Sequence, residues 1–364
     1  MTKARTNASA SPAVGRNMVI NGAMNVAQRA TTTSAGGVGA TAAHYPTLDR
    51  WQIEASTAGR ATMSQTADGP NGISANCIKL DCTTADTDIA AGELFLLEQR
   101  IEGQNLQRIG KGVAGAKQVT ISFYVKASAS FTFALEFLEV QHGRSCSKLF
   151  DVTTDWNRIE LIFPADVDDG SSPIVDDNAV GVRLFFWLHG GATWTSGTLQ
   201  SGSFANQVSA NRAAGIDSFF SNTANNFFIT GVQMEVGPVA TEFEQEDFGV
   251  TYQKCLRYTN KLVFTTSATS FGLGYAESTS QHRTPFKFSK MRSAPAVTFS
   301  GATDFAIVNG GTGVTSTSIA ASAMSDSMGL IHTTHSGAGL TIHQPLYIRA
   351  TAGKFIMLDS ELHA

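Results

Sequence analysis

This chain of 364 residues predicts an all-β fold: a jelly-roll β-sandwich, then a short helical joint, then a second, smaller C-terminal β domain. Three observations predict it. Apolar runs are short and alternate with period two, as side chains on a strand do. Most of the 23 Phe residues sit in those runs, between stretches rich in Gly (34), Ser and Thr that act as turns. Helical periodicity is confined to one stretch, after Gly237-Pro238.

Taken in order, a small polar segment, 1–16, comes first. NMVINGAM follows, with an Asn-Gly turn signal, and then LDRW, where Trp51 reads as core with Asp49 and Arg50 paired at its edge. Weak strands are expected at Cys77–Cys82 and Glu93–Ile101. The clearest strand is QVTISFYVKAS, with Val119, Ile121, Phe123 and Val125 on a core face and Thr120, Ser122, Tyr124 and Lys126 on a wet one. Further strands are expected over 131–140, 158–163, 182–189 and 227–236. The stretches 31–47, 60–76, 166–180 and 190–224 read as long loops. The spacing favours two packed antiparallel sheets over a parallel α/β sheet, with the jelly roll filling 17–245.

At 246–262, Phe248, Tyr252, Cys255 and Leu256 recur at helical spacing and predict a short amphipathic helix that docks its stripe. Residues 263–364 return to brief strands, among them PFKFSK, PAVTFSG, DFAIVNGG, LYIRA and KFIMLDSEL. A domain of that size gains stability by burying surface against copies of itself.

Composition excludes several classes. A net charge of -4 without a basic run removes the footprint of a nucleic-acid binder. No apolar run of about 18 residues is present, so no membrane insertion is expected, and the N-terminus lacks the apolar core of a signal peptide. Cys77, Cys82, Cys146 and Cys255 show no CxxC spacing and read as buried free thiols.

Candidate chemistry is sparse. On the strand 182–189, Arg183, Phe185, Trp187 and His189 share one face, with Tyr124, Lys126 and Trp194 as neighbours. Flat aromatic faces with a few directional polar groups suit sugar binding. A buried subunit contact or a second core beneath a loop accounts for the same residues. The acidic loop Asp166 to Asp177 suggests calcium but departs from the EF-hand pattern. His332, His335 and His343 form the one histidine cluster, yet two His three apart on a strand face opposite ways. GxSxG, HExxH and P-loop motifs are absent, and Glu93, Glu98 and Glu102 form no recognisable catalytic pair. No enzyme, cofactor or metal is expected.

The phrases NMVINGAMNVAQRA, LDRW, LLEQRIEGQNL, QVTISFYVKAS, FFITGVQMEVGPVATEF and CLRYT, in that order, resemble the successive blocks of bacteriophage tail-fibre and minor tail proteins. Those proteins carry a carbohydrate-binding-module-like jelly roll. The resemblance covers most of 17–259, and PFKFSKMRSAPAVTFSG and FIMLDSEL resemble the C-terminal β domain that follows. It implies a structural virion protein, assembled in the host cytoplasm as a homotrimer with other phage tail or capsid proteins, that attaches to a host cell-surface glycan. Its short leader, unlike that of fibres with a long shaft domain, leaves open a capsid fibre or decoration protein, or a tail adaptor. A polysaccharide-depolymerising tailspike is a third reading.

Overall fold

The computed structural model describes residues 15–33, 37–309, 311–336 and 339–363. Contacts divide the chain between Thr251 and Tyr252 and again between Glu361 and Leu362. The first unit holds strands β1 (Val38–His44), β2 (Gln52–Thr66), β3 (Cys77–Thr84), β4 (Leu94–Glu102), β5 (Val119–Ala127), β6 (Phe131–Glu139), β7 (Arg144–Val152), β8 (Asn157–Phe163), β9 (Val180–Gly190), β10 (Ala205–Asn206) and β11 (Asn226–Val236), with a one-turn helix α1 (Ala192–Thr195). They pair antiparallel along the path β10-β7-β6-β9-β4-β2-β3-β11-β5-β8, and β1 adds to β2.

Ring contacts show that this long sheet is folded over into two layers. Phe123 on β5 meets Phe150 on β7 at 5.1 Å and Phe186 on β9 at 5.2 Å, although those strands lie far apart along the path. Phe133 on β6 meets Phe227 on β11 at 5.6 Å. The layer from β7 to β2 therefore packs on the layer from β3 to β8, giving the jelly-roll sandwich. Its core takes alternate residues from both layers, Ile53 and Met63, Leu80, Phe95, Ile121, Phe163 and Met234 among them, all essentially inaccessible to solvent. Burying each such side chain contributes about 2 kcal/mol.

Most strands lie within a residue or two of where alternation puts them. The exceptions are instructive. Segments expected as loops, 31–47 and 60–76, hold β1 and the second half of β2, and β7 was not expected at all. In β2, after the buried Gln52, the buried positions are Ile53, Ala55, Thr57, Gly59, Ala61 and Met63, so the alternation runs mostly through small side chains with little hydrophobic signal. On β5, Thr120 and Ser122 are buried rather than wet: Thr120 Oγ1 donates to Gly237 O at 2.6 Å, and the segment after β11 folds back over that end, with Gln233 Nε2 donating to Thr241 Oγ1 and Glu244 N to Gln233 Oε1.

The opening motif is a lock. Asn21 adopts a left-handed φ of 58°. Its amide Nδ2 donates to the carbonyls of Val26 and Asp49, while its Oδ1 accepts from the backbone of Asn25 and Val26. Trp51 Nε1 donates to Asn21 O at 3.1 Å, so Trp51 is core as expected. Asp49 accepts both the backbone N–H and the side-chain amide of Gln28, and Arg50 donates to Arg100 O. Gly22 comes so close to β11 that a Cβ would lie 2.1 Å from Val232 O, which explains the glycine. Val232 N donates back to Gly22 O and Met18 N to Met234 O, so residues 18–22 continue the ladder where β3 leaves β11.

The helix α2 (Phe248–Leu256) forms where the apolar spacing puts it. Cys255 and Leu256 are buried, whereas Phe248, expected in the same stripe, is 57 % exposed. The second unit holds β12 (Thr259–Val263), β13 (Thr269–Ala276), β14 (Gln281–Lys287), β15 (Ala296–Phe299), β16 (Phe305–Asn309), β17 (Thr312–Thr315), β18 (Ser318–Ser322), β19 (Met328–Thr334), β20 (Pro345–Ala350) and β21 (Phe355–Asp359). They form two antiparallel sheets, β12-β21-β15 and β17-β16-β20-β13-β14-β19-β18. A shared core of Phe264, Phe286, Met291, Phe305, Ile331, Ile348, Ile356 and Leu358 joins them. All four cysteines are buried free thiols, and burial pushes the Cys146 thiol up to about 11.

Candidate functional site

The sandwich has two outer faces, and only one is open. The face of β9 carries Arg183, Phe185 and Trp187, as alternation requires, but Phe185 and Trp187 are 1 % and 0 % exposed. The long segment between β9 and β11 folds back over them. Trp194, Ala213 and Ile216 pack there with Leu94, Leu96, Ala134, Leu138, Phe185 and Trp187 as a second, separate core. The Arg212 guanidinium, from the same segment, lies over Trp187 at 4.8 Å, Phe185 at 5.2 Å and Trp194 at 5.3 Å.

Buried carboxylates fix this cover. Glu136 is fully buried on β6 and accepts from Arg212 Nε at 2.9 Å, Trp187 Nε1 at 2.9 Å and Gln207 Nε2 at 3.2 Å. Glu98, equally buried on β4, holds Arg100 Nε at 2.8 Å and Arg183 Nη2 at 2.9 Å. Arg183 also reaches Glu54 and lies over Phe185 at 4.3 Å. Burial alone lowers the pKa of Arg183, but the bonds to Glu98 and Glu54 outweigh it and push it above the ordinary range. The expectation of an accessible sugar face at Phe185 and Trp187 is therefore corrected. Rings that read as ligand platforms are roofed by the chain's own loop, and their polar neighbours pair with one another. His189, on the same strand, is also fully buried, with Nδ1 2.8 Å from Ser218 Oγ.

Tyr124 lies on the opposite, open face, among residues that sequence alone did not group. The register of β3, β11, β5 and β8 aligns two transverse rows of outward side chains. Phe228 pairs with Lys79 on one side and Lys126 on the other, and Trp156 stands at the start of β8 beyond Lys126. The next row runs Thr230, Tyr124 and Arg158, one strand repeat of about 7 Å away. Phe228, Trp156, Tyr124, Lys79, Lys126 and Arg158 are all half-buried. Trp156 and Phe228 meet edge to face at 6.3 Å, and Lys126 Nζ sits 4.8 Å from the Phe228 ring and 5.2 Å from that of Trp156.

Each cation has an acid beside it: Lys126 with Asp68 at 2.8 Å, Lys79 with Asp81 at 2.5 Å, and Arg158 with Glu160 at 2.9 Å. The face is thus charge-balanced, and its ion pairs are exposed enough to be worth little and to exchange partners freely. A β-bulge shapes one end. Residues 231 and 232 stand opposite a single position of β5, with Gly231 at φ 60°. A Cβ there would lie 2.8 Å from both Tyr124 Cδ2 and Ile73 Cγ2. Beside it, residues 69–75 and Gln245 line an open depression of about 370 Å³.

The other candidates are absorbed into structure. Burial works against ionisation of Asp166, but hydrogen bonds from Arg144 and Lys111 hold its carboxyl below the usual range. Asp169 and Asp177 cap backbone N–H groups of their own loop. His335 is buried beside Thr333, His332 bonds Ser322, and His343 lies in the turn before β20 at φ 66°. Glu98 and Glu102 are fully buried, each in hydrogen bonds to neighbouring side chains. Among the described residues no helix is long and apolar enough to cross a membrane.

No family model and no curated protein matches this chain. Among solved structures, a CBM4 carbohydrate-binding module aligns at 13% identity and TM-score 0.30, covering 59% of this chain and 97% of that one. TmCBM61, solved with β-1,4-galactotriose, aligns at 11% identity and TM-score 0.30, covering 61% and 99%. The enzymatically active domain of tailspike protein 4 of bacteriophage CBA120 aligns at 14% identity and TM-score 0.31, covering 61% of this chain but 21% of that one. These are partial superpositions.

Proposed function

We propose that the first unit binds glycans on the open face of β3, β11, β5 and β8, and that the chain is a non-catalytic attachment protein of a bacteriophage virion. The observation that carries the binding reading is the part-exposed pair of rows, Lys79-Phe228-Lys126-Trp156 and Tyr124-Arg158, the second ending at the buried Thr230. Pyranose rings present an apolar C–H face and a rim of hydroxyls, and these rows offer three aromatic rings interleaved with donors and acceptors. Lys126 over two rings is an exposed cation–π contact worth about 0.5–1 kcal/mol, so a sugar displaces it at small cost. Balanced charge favours a neutral glycan over a polyanion. The ordered motifs from NMVINGAM to CLRYT support the virion assignment.

Homotrimeric assembly belongs to the same reading. In the second unit Leu273 and Tyr347 are cross-strand partners on β13 and β20, 66 % and 48 % exposed, an apolar patch suited to a second copy. A glycan array probed with the full chain and with Trp156→Ala tests the binding site. Retention of every glycan signal by the variant would remove this face from the reading. Light scattering on the same preparation gives the mass, and a monomer would remove the trimer.

A further inference from the structure

Away from both faces, three side chains from separate elements converge at one edge of the first unit. Asp86 comes from the connection after β3, Glu93 immediately precedes β4, and His189 lies near the end of β9. One potential ligand atom from each falls within 4.8 Å of the others. The two carboxylates are positioned by backbone and hydroxyl donors. Asp86 Oδ2 accepts from Thr57 Oγ1 at 2.7 Å, Ala58 N at 3.1 Å and Gly59 N at 3.2 Å. Glu93 Oε2 accepts from Ala90 N at 2.9 Å and its Oε1 from Ala58 N at 3.2 Å.

The histidine points to what completes the cluster. His189 is 0 % exposed, its ring packed edge to face on Phe220 at 5.4 Å. Nδ1 is engaged by Ser218 Oγ, but Nε2 has no hydrogen-bond partner and lies 3.8 Å from Glu93 Oε2, beyond hydrogen-bond reach. In the tautomer that carries its proton on Nδ1, the Nε2 lone pair faces two carboxylates in a buried site, a repulsion that a cation between them relieves. A second group fixing the far nitrogen of a metal-binding histidine is the usual arrangement.

We propose that Asp86, Glu93 and His189 bind one divalent transition-metal ion of the zinc class, through Nε2 of the imidazole and one oxygen of each carboxylate. Imidazole with carboxylates suits zinc better than calcium, which takes oxygen ligands alone. Two carboxylates and a neutral imidazole balance the ion's charge. Zinc–ligand distances of about 2.0–2.2 Å require a tighter cluster than 4.8 Å, and half-buried Glu93, held by single bonds from Ala90 N and Ala58 N, is the ligand that shifts inward. The bound ion ties the β3–β4 connection to β9.

The test is titration of the untagged, full-length chain, stripped with EDTA and dialysed, with Zn2+ by calorimetry, and with Co2+ by absorption for a nitrogen- and oxygen-ligated spectrum. The expected result is one saturable ion per chain, a melting temperature raised by Zn2+ and lowered again by EDTA, and affinity weakened about 10–100-fold or more in Glu93→Gln. A second variant, Asp86→Asn, guards against a folding failure of the first, and the wild-type melting comparison needs no variant. Absence of saturable binding, or unchanged affinity and stoichiometry in both folded variants, would overturn the site.

Discussion

Removing the Glu136 carboxylate should open the roof over β9, and its size can be worked from the structure. Glu136→Ala breaks a buried ion pair with Arg212, which is 12 % exposed, a step that costs about 3–5 kcal/mol because the remaining charge stays buried. Trp187 Nε1–H, fully buried, loses its acceptor at the same time, adding about 1–3 kcal/mol. The two share one carboxylate and are not additive, so the total is about 4–6 kcal/mol. For a unit of this size that lowers the melting temperature of its transition by about 10–20 °C. Differential scanning calorimetry reads the shift, and iodide quenching of tryptophan emission reads exposure of Trp187 and Trp194. Adding Arg212→Met should recover part of the loss, since no orphan charge is left. A Glu136→Ala transition within about 3 °C of wild type, with unchanged quenching, would refute the reasoning that this network closes the face.

Two further predictions concern pH and backbone. Burial holds His282 in the second unit down to about 4 from an ordinary 6.5, so the neutral ring is favoured by folding. Its stabilising contribution, roughly 3 kcal/mol, is complete above pH 6.5 and is lost as pH falls from there toward 4. Calorimetry between pH 7 and 4 should show the second unit's transition falling in that window, and His282→Asn should flatten the dependence. At the bulge, Gly231→Ala combines a left-handed backbone with a Cβ against Tyr124, and should cost about 1–2 kcal/mol while displacing that ring. Denaturant unfolding measures the first effect; a wild-type midpoint would contradict it.

The fold was legible wherever large apolar residues alternate, as in Phe131–Glu139 and Val180–Gly190. It was illegible in Gln52–Thr66, where Ala, Thr and Gly fill most inward positions and Gly59 lies so close to the Phe220 ring that a Cβ would be 2.4 Å from it. Alternation also identified the face shared by Arg183, Phe185 and Trp187, but a period-two pattern cannot say whether a face meets solvent or a loop. The signals that decide it were present in the sequence: Glu136 inside an apolar strand and Arg212 in a distant loop, charges that must find each other if both are buried. The open face was only partly legible. Tyr124 and Lys126 were visible on their strand, but Phe228, Trp156 and Lys79 join them only through strand register, which pairs Phe228 with Lys126 and Lys79, residues far from it in sequence. The triad of Asp86, Glu93 and His189 has no motif spacing for the same reason.

On the proposed function, glycan binds the β5/β11 face and not the β9 face. The most direct measurement is the affinity of one array-identified oligosaccharide for wild type, Trp156→Ala and Trp194→Ala by calorimetry. Loss of the open-face ring should raise Kd about tenfold or more, equivalent to ~1.4 kcal/mol, while the roof variant Trp194→Ala leaves Kd within about twofold. The reverse pattern, binding lost in Trp194→Ala and kept in Trp156→Ala, would contradict the account.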